Sequence, residues 1–209
     1  MKYLKFFFVF FFSFSLNAKT LKLPEVISEY VCNTKFIMGA TVLETRTFQG
    51  KNKKRIDTII QNVPQSVIID YGKQTATWVW VKTSSYLSVP LKKENQENLK
   101  KATNITRLDK IKSDYIRGFE VDVYKLKLNL PDGTTEESTR WITKHGITLK
   151  EVGFIQGKEG KIHFYSEFSN VKIFKQDDRL FEVPEGFKIA PIEHLDDVNE
   201  LLKTMVKRS

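Results

Sequence analysis

Few side chains in this chain of 209 residues carry reactive chemistry, and their spacing decides which kinds remain open. His145, His163 and His194 stand far apart in different local settings, and none belongs to a spacing that ligates zinc. Adjacent Asp177 and Asp178 precede "RLF" and read as a turn before a strand, because carboxylates that share acid–base work must flank a substrate from separate positions. No glycine-rich phosphate loop and no nucleophile elbow appears, so no cofactor or metal is expected and the chain reads as non-enzymatic. An enzyme would need a histidine and a carboxylate brought together from distant positions. The remaining chemistry is apolar. In "ATWVWV", Trp78 and Trp80 are two apart, so both rings leave one face of a strand. With Phe36, Met38, Val42, Phe119, Val121, Trp141, Phe164 and Phe168 they form a set that either fills a core, as such rows more often do, or lines a cavity for acyl chains. Each acyl methylene buried there would contribute about 0.8 kcal/mol.

The elements that must position these residues begin after an export signal. "MKYLKFFFVFFFSFSLNAKT" carries Lys2 and Lys5, an apolar run from Phe6 to Leu16 and small Ala18, so residues 1–18 read as a signal peptide and residues 19–209 as a single exported domain, expected in a periplasm. The lone Cys32 lies beyond the cleavage region, which leaves no lipid-attachment site at the mature N-terminus and no internal disulfide; it reads as a small buried residue. Removing the signal leaves 32 basic against 25 acidic residues, a net charge of +7. That excess suits a solvated surface, an acidic envelope protein or peripheral contact with an anionic membrane, and its scatter over many strands does not suit nucleic acid.

"LPEVISEYVC" predicts a helix, with Pro24 in the first turn and Val26, Ile27, Tyr30 and Val31 on one face. Strands follow in close succession through "KFIMGATVLETRTFQG", "KKRIDTIIQ", "QSVIIDYGKQ", "ATWVWV" and "SYLSVPL", an antiparallel meander. "KKENQENLKKAT" predicts a short exposed helix or ordered loop. In "IRGFEVDVYKLKLNL" the apolar phase shifts from Phe119, Val121 and Val123 to Tyr124, Leu126 and Leu128, which predicts a bulge near residues 123–124. Further strands lead to an amphipathic C-terminal helix over 192–207. The expected architecture is α+β: a curved antiparallel sheet of roughly ten strands, a half-barrel, covered by helices on its concave side.

"KNKKRIDTIIQNVPQSVIIDYGKQTATWVWVKTSSYLSVPL", "IRGFEVDVYKLKL" with "TRWITKHGITLKEV", and "DDRLFEVPEGFK" together resemble the outer-membrane lipoprotein carrier superfamily, LolA/LolB-like, and its uncharacterised exported relatives, over about residues 24–190. The resemblance implies a half-barrel with an apolar cavity for the acyl chains of a lipid or lipoprotein. It also implies a lid contact for Arg55, which matches an arginine that holds the helical lid in carriers. Sensor modules that bind envelope proteins share the superfamily, so such a protein is the alternative partner.

Overall fold

The structure, a computed structural model, describes residues 22–60, 62–91, 104–130 and 133–190. The expected signal peptide, the segment 92–103 and the C-terminal helix 192–207 lie outside the described residues.

Twelve strands form one sheet: β1 Tyr30–Met38, β2 Thr41–Gln49, β3 Lys53–Ile60, β4 Val63–Asp70, β5 Thr75–Trp80, β6 Ser85–Pro90, β7 Asn104–Ile116, β8 Phe119–Asn129, β9 Thr135–Thr143, β10 Thr148–Gly157, β11 Gly160–Ile173 and β12 Lys188–Ile189. Their order across the sheet is β12-β6-β5-β4-β3-β2-β1-β11-β10-β9-β8-β7. Two runs of sequential hairpins therefore meet at one antiparallel seam, β1 against β11, while β12 adds a short parallel pair on β6. The hairpins turn where the sequence permits a left-handed backbone. Gly39 at φ +57° divides β1 from β2, and the Asp70 carboxylate accepts from the Lys73 amide at 2.8 Å to close the turn into β5.

The sheet curls. Arg117, in the β7–β8 turn, bonds to Glu167 on β11 and lines one recess with Val81, just past β5, although eight strand spacings separate β5 from β8 across the sheet. The curl is towards the face that carries Glu167. After β11 the chain crosses that concave face. A 3-10 turn, Asp178–Phe181, sets Phe181 against Ile68 and Val79, with Leu180, Val183 and Phe187 around them. Asp177 caps this turn by accepting the Arg179 amide, so the adjacent aspartates serve local structure.

Two expectations are corrected and a third is shifted to a neighbouring strand. No helix covers the concave side among the described residues, about two thirds of which are strand; the extended "RLFEVPEGF" segment supplies apolar cover there instead. The helix expected over "LPEVISEYVC" is absent as well. Residues 22–29 are irregular, with Val26 and Ile27 exposed, while Tyr30, Val31 and Cys32 are buried in β1, where pairing with both β2 and β11 outweighs a marginal helical stripe. The bulge expected near residues 123–124 is found at that level of the β7–β8 ladder, with the extra residue on β7 and not on β8. The register of β8 with β9 runs unbroken through Val123 and Tyr124, and the strand is buried on both faces, by Val121 and Val123 on one and Leu126 and Leu128 on the other. The irregularity sits on the neighbouring β7, between Lys110 and Lys112.

Candidate functional site

Cross-strand register fixes which side chains share a face, because residues directly opposite in an antiparallel pair project to the same side. One row runs Cys32, Thr47, Ile56, Val67, Trp78, Leu87. The next runs Tyr30, Gln49, Lys54, Ile69, Ala76, Val89. Phe36, Met38, Trp80, Phe164 and Phe168 belong to this same face. Trp78 is 1% exposed in a cluster with Val67, Ala76, Leu87, Leu91 and Ala190, and Trp80 packs against it. The Trp78 indole Nε1 is buried and has no hydrogen-bond acceptor among the described residues. Phe36 and Phe164 stack with ring centroids 6.4 Å apart. Burial pushes the Cys32 thiol up to about 11, which makes it an inert core group, and holds the Lys54 ammonium below its ordinary value.

The register places Val42, Phe119, Val121, Trp141 and Arg55 on the concave face. The ten apolar residues singled out by sequence are thus divided between two faces. Phe119, Val121, Trp141 and Phe168 nevertheless share one cluster with Tyr30, Cys32, Ile147 and Leu149, around the register shifts in β10 and β11 that break strict alternation.

The concave face holds a recess of about 610 Å³, within the range of ligand sites. Two rows wall it. Ser169, Asn33, Arg46, Asp57 and Ser66 follow one another across β11, β1, β2, β3 and β4. The parallel row begins with Glu167, Lys35 and Glu44 and ends with Ile59, Pro64 and Val81. Between them, Thr34, Thr45, Thr58 and Gln65 turn their side chains to the opposite face and contribute backbone as a floor. The groove crosses five strands, a length of about 19 Å. One end is charged, and the other is apolar with Ile59 and Val81 exposed.

Most charges in the groove are committed. Arg55 donates from Nε to Asp57 at 2.7 Å, from one terminal nitrogen to the Leu180 carbonyl at 3.0 Å and from the other to Ser66 at 3.1 Å. It therefore ties the 3-10 turn to the sheet. Arg117 donates to Glu167, which also accepts from the Tyr165 hydroxyl at 2.8 Å, and these two donors hold the Glu167 carboxyl below its ordinary value. Of the residues singled out by sequence, Arg55 lines the recess and the aromatic set does not. Lys35, Glu44, Arg46, Arg117 and Glu167 were not singled out by sequence. The available signal was "LETRTF", whose Glu44 and Arg46 project from one face of a strand flanked by apolar neighbours.

Elements of a catalytic centre are dispersed. His145 Nδ1 lies 2.8 Å from Ser28 Oγ, but no carboxylate hydrogen-bonds that ring among the described residues, and the contact pins the chain before β1 to the β9–β10 turn. No three histidine, cysteine or acidic side chains among the described residues gather as a metal site.

No family model matches the sequence, and no curated protein matches it. Among solved structures, an uncharacterised conserved protein from Thermus thermophilus aligns over 78% of this chain and 90% of its own, at 10% identity and a TM-score of 0.53. MucB aligns over 78% of this chain at 9% identity and a TM-score of 0.51; the chain spans 59% of MucB. A LolA superfamily protein from Nitrosomonas europaea aligns over 74% of this chain and 90% of its own, at 9% identity and a TM-score of 0.37. At such identities the likeness is one of fold alone, shared with the Thermus thermophilus protein and with part of MucB.

Proposed function

We propose that this chain is an exported, carrier-like binding protein of the cell envelope, which holds an acyl-bearing lipid or lipoprotein and catalyses no reaction. The observation that carries the reading is the groove. It lies on the concave face of an open curved sheet, has the volume of a ligand site and is divided into a charged end and an apolar end, the division that an amphiphile has. Acyl methylenes would lie against Ile59, Pro64 and Val81, and the polar part of the cargo against β1, β2 and β11. The export signal read in residues 1–18 and the basic composition fit a protein that works beside anionic headgroups.

Native mass spectrometry of the chain purified from its own cell envelope, before and after organic extraction, tests this. The expected result is a reproducible lipid or acylated peptide that leaves on extraction and fails to rebind after Ile59→Asp with Val81→Asp. Loss of rebinding after Trp78→Ala with Trp80→Ala, but not after the groove changes, would move the cargo to the aromatic face. A clean apo mass throughout would overturn the reading.

A further inference from the structure

The groove contains seven charged side chains, Lys35, Arg46, Arg55 and Arg117 against Glu44, Asp57 and Glu167. Two of the basic groups are already neutralised by partners, Arg55 by Asp57 and Arg117 by Glu167. Lys35, Arg46 and Glu44 have no ion-pair partner among the described residues; Arg46 rests its guanidinium over the Phe48 ring, 5.0 Å from the centroid. These three are neighbours. Lys35 lies directly opposite Glu44 across β1 and β2, and Arg46 follows Glu44 by two residues on the same face, about 7 Å along the strand. The uncommitted set is therefore two cations and one carboxylate, presented together at the polar end of the groove.

We propose that this cluster reads a dipolar headgroup, a phosphate diester beside a primary ammonium, as in phosphatidylethanolamine. The inference rests on the lipid-binding reading above and names the class of lipid. Arg46 and Lys35 take the phosphate oxygens, Arg46 by its planar pair of donors and Lys35 as a point charge. Glu44 accepts the ammonium, which a purely anionic headgroup lacks and which a choline head carries without N–H donors. Asn33, opposite Arg46, offers an amide to the same phosphate. Arg55 and Arg117 are not needed for recognition, since their hydrogen bonds are spent within the protein. Selectivity by this device is a difference between headgroups, with the acyl end of the groove treating all of them alike.

The test is calorimetric titration of the secreted chain with short-chain, soluble phosphatidylethanolamine, phosphatidylglycerol and phosphatidylcholine, and with free phosphoethanolamine as a headgroup without tails. Phosphatidylethanolamine should bind about tenfold more tightly than either other lipid, as expected for one charge-assisted hydrogen bond. Glu44→Gln should abolish that preference while leaving phosphatidylglycerol unaffected, and Arg46→Gln should weaken both phospholipids. Free phosphoethanolamine should bind far more weakly than the lipid; equal affinity would make the cluster a site for a soluble phosphate compound and overturn the lipid assignment. Equal affinity for the three lipids, or a preference that survives both substitutions, would overturn the headgroup assignment and leave lipid binding standing. Failure of all three to bind would overturn both.

Discussion

Glu136, Ser138, Arg140 and Glu151 form a half-buried polar cluster on the face that also carries Leu126 and Leu128. The Ser138 hydroxyl lies 3.0 Å from Glu136 and 2.9 Å from Glu151, yet it has one proton to donate. Both contacts are satisfied when one carboxyl is protonated and donates in turn to the hydroxyl. Burial first, then the Glu151 charge, raises the Glu136 carboxyl above its ordinary value against the pull of Arg140. For an acid raised on folding, the stabilising contribution is present below the unfolded pKa and is lost as pH rises through the folded one. Glu136→Gln should therefore raise the melting temperature at pH 7–8 by about 2–4 °C, the equivalent of about 1 kcal/mol, and the gain should vanish near pH 4 in a thermal scan. A second residue-scale test concerns Trp78. Trp78→Phe removes an N–H that has no acceptor among the described residues and should leave stability nearly unchanged, whereas Trp78→Ala should cost about 3–5 kcal/mol in denaturant unfolding. The tryptophan row was legible because its period of two is local. The Glu136 cluster was not, since it joins two strands whose register no single sequence displays.

Among the elements, the β7–β8 hairpin carries the clearest sign of conflict between local and tertiary preference. Arg117 and Gly118 both have positive φ, +52° and +87°, a pair of values that favours asparagine followed by glycine. Arginine stands there with its guanidinium on Glu167, an ion pair that offsets the cost of the turn. Arg117→Asn should keep the hairpin and change global stability little, while removing the clasp at one side of the groove. Hydrogen exchange should quicken in β7 and β8 relative to the rest of the sheet. Because Arg117 and Tyr165 depress the Glu167 carboxyl, the clasp contributes above the ordinary carboxylate range and is lost as pH falls through the depressed value, so the variant and the native chain should converge in acid. Element boundaries were legible wherever turn chemistry was explicit, as at Asp70–Gly72. They failed at residues 24–32, where Val26, Ile27, Tyr30 and Val31 fit a helical stripe equally well and the arbiter was a partner strand, β11, far along the chain.

At the scale of the molecule, the half-barrel was legible from the succession of short strands, and its cover was not, because extended apolar segments and helices can bury the same face. Arg55 joins this cover to the sheet by one hydrogen bond, to the Leu180 carbonyl, while its bonds to Asp57 and Ser66 hold the guanidinium in place from within the sheet. Arg55→Ala should release the segment around the 3-10 turn, seen as new proteolytic cleavage near residues 178–187 with the sheet still folded.

The seam between β1 and β11 bears on how such a sheet assembles in time. Every other antiparallel pair among the described residues joins strands consecutive in sequence, so each half can zip up hairpin by hairpin, while Met38 meets Phe164 only after a long chain loop has closed. That single closure is the costly step and should set a refolding time of milliseconds to seconds. In a chevron series, Phe36→Ala and Phe164→Ala, which stack across the seam, should slow refolding, whereas Val79→Ala in the β4–β6 meander should chiefly hasten unfolding. Until the seam forms, two sheets with open edges coexist in one chain, and a protein of this topology is most prone to misassociation during that interval.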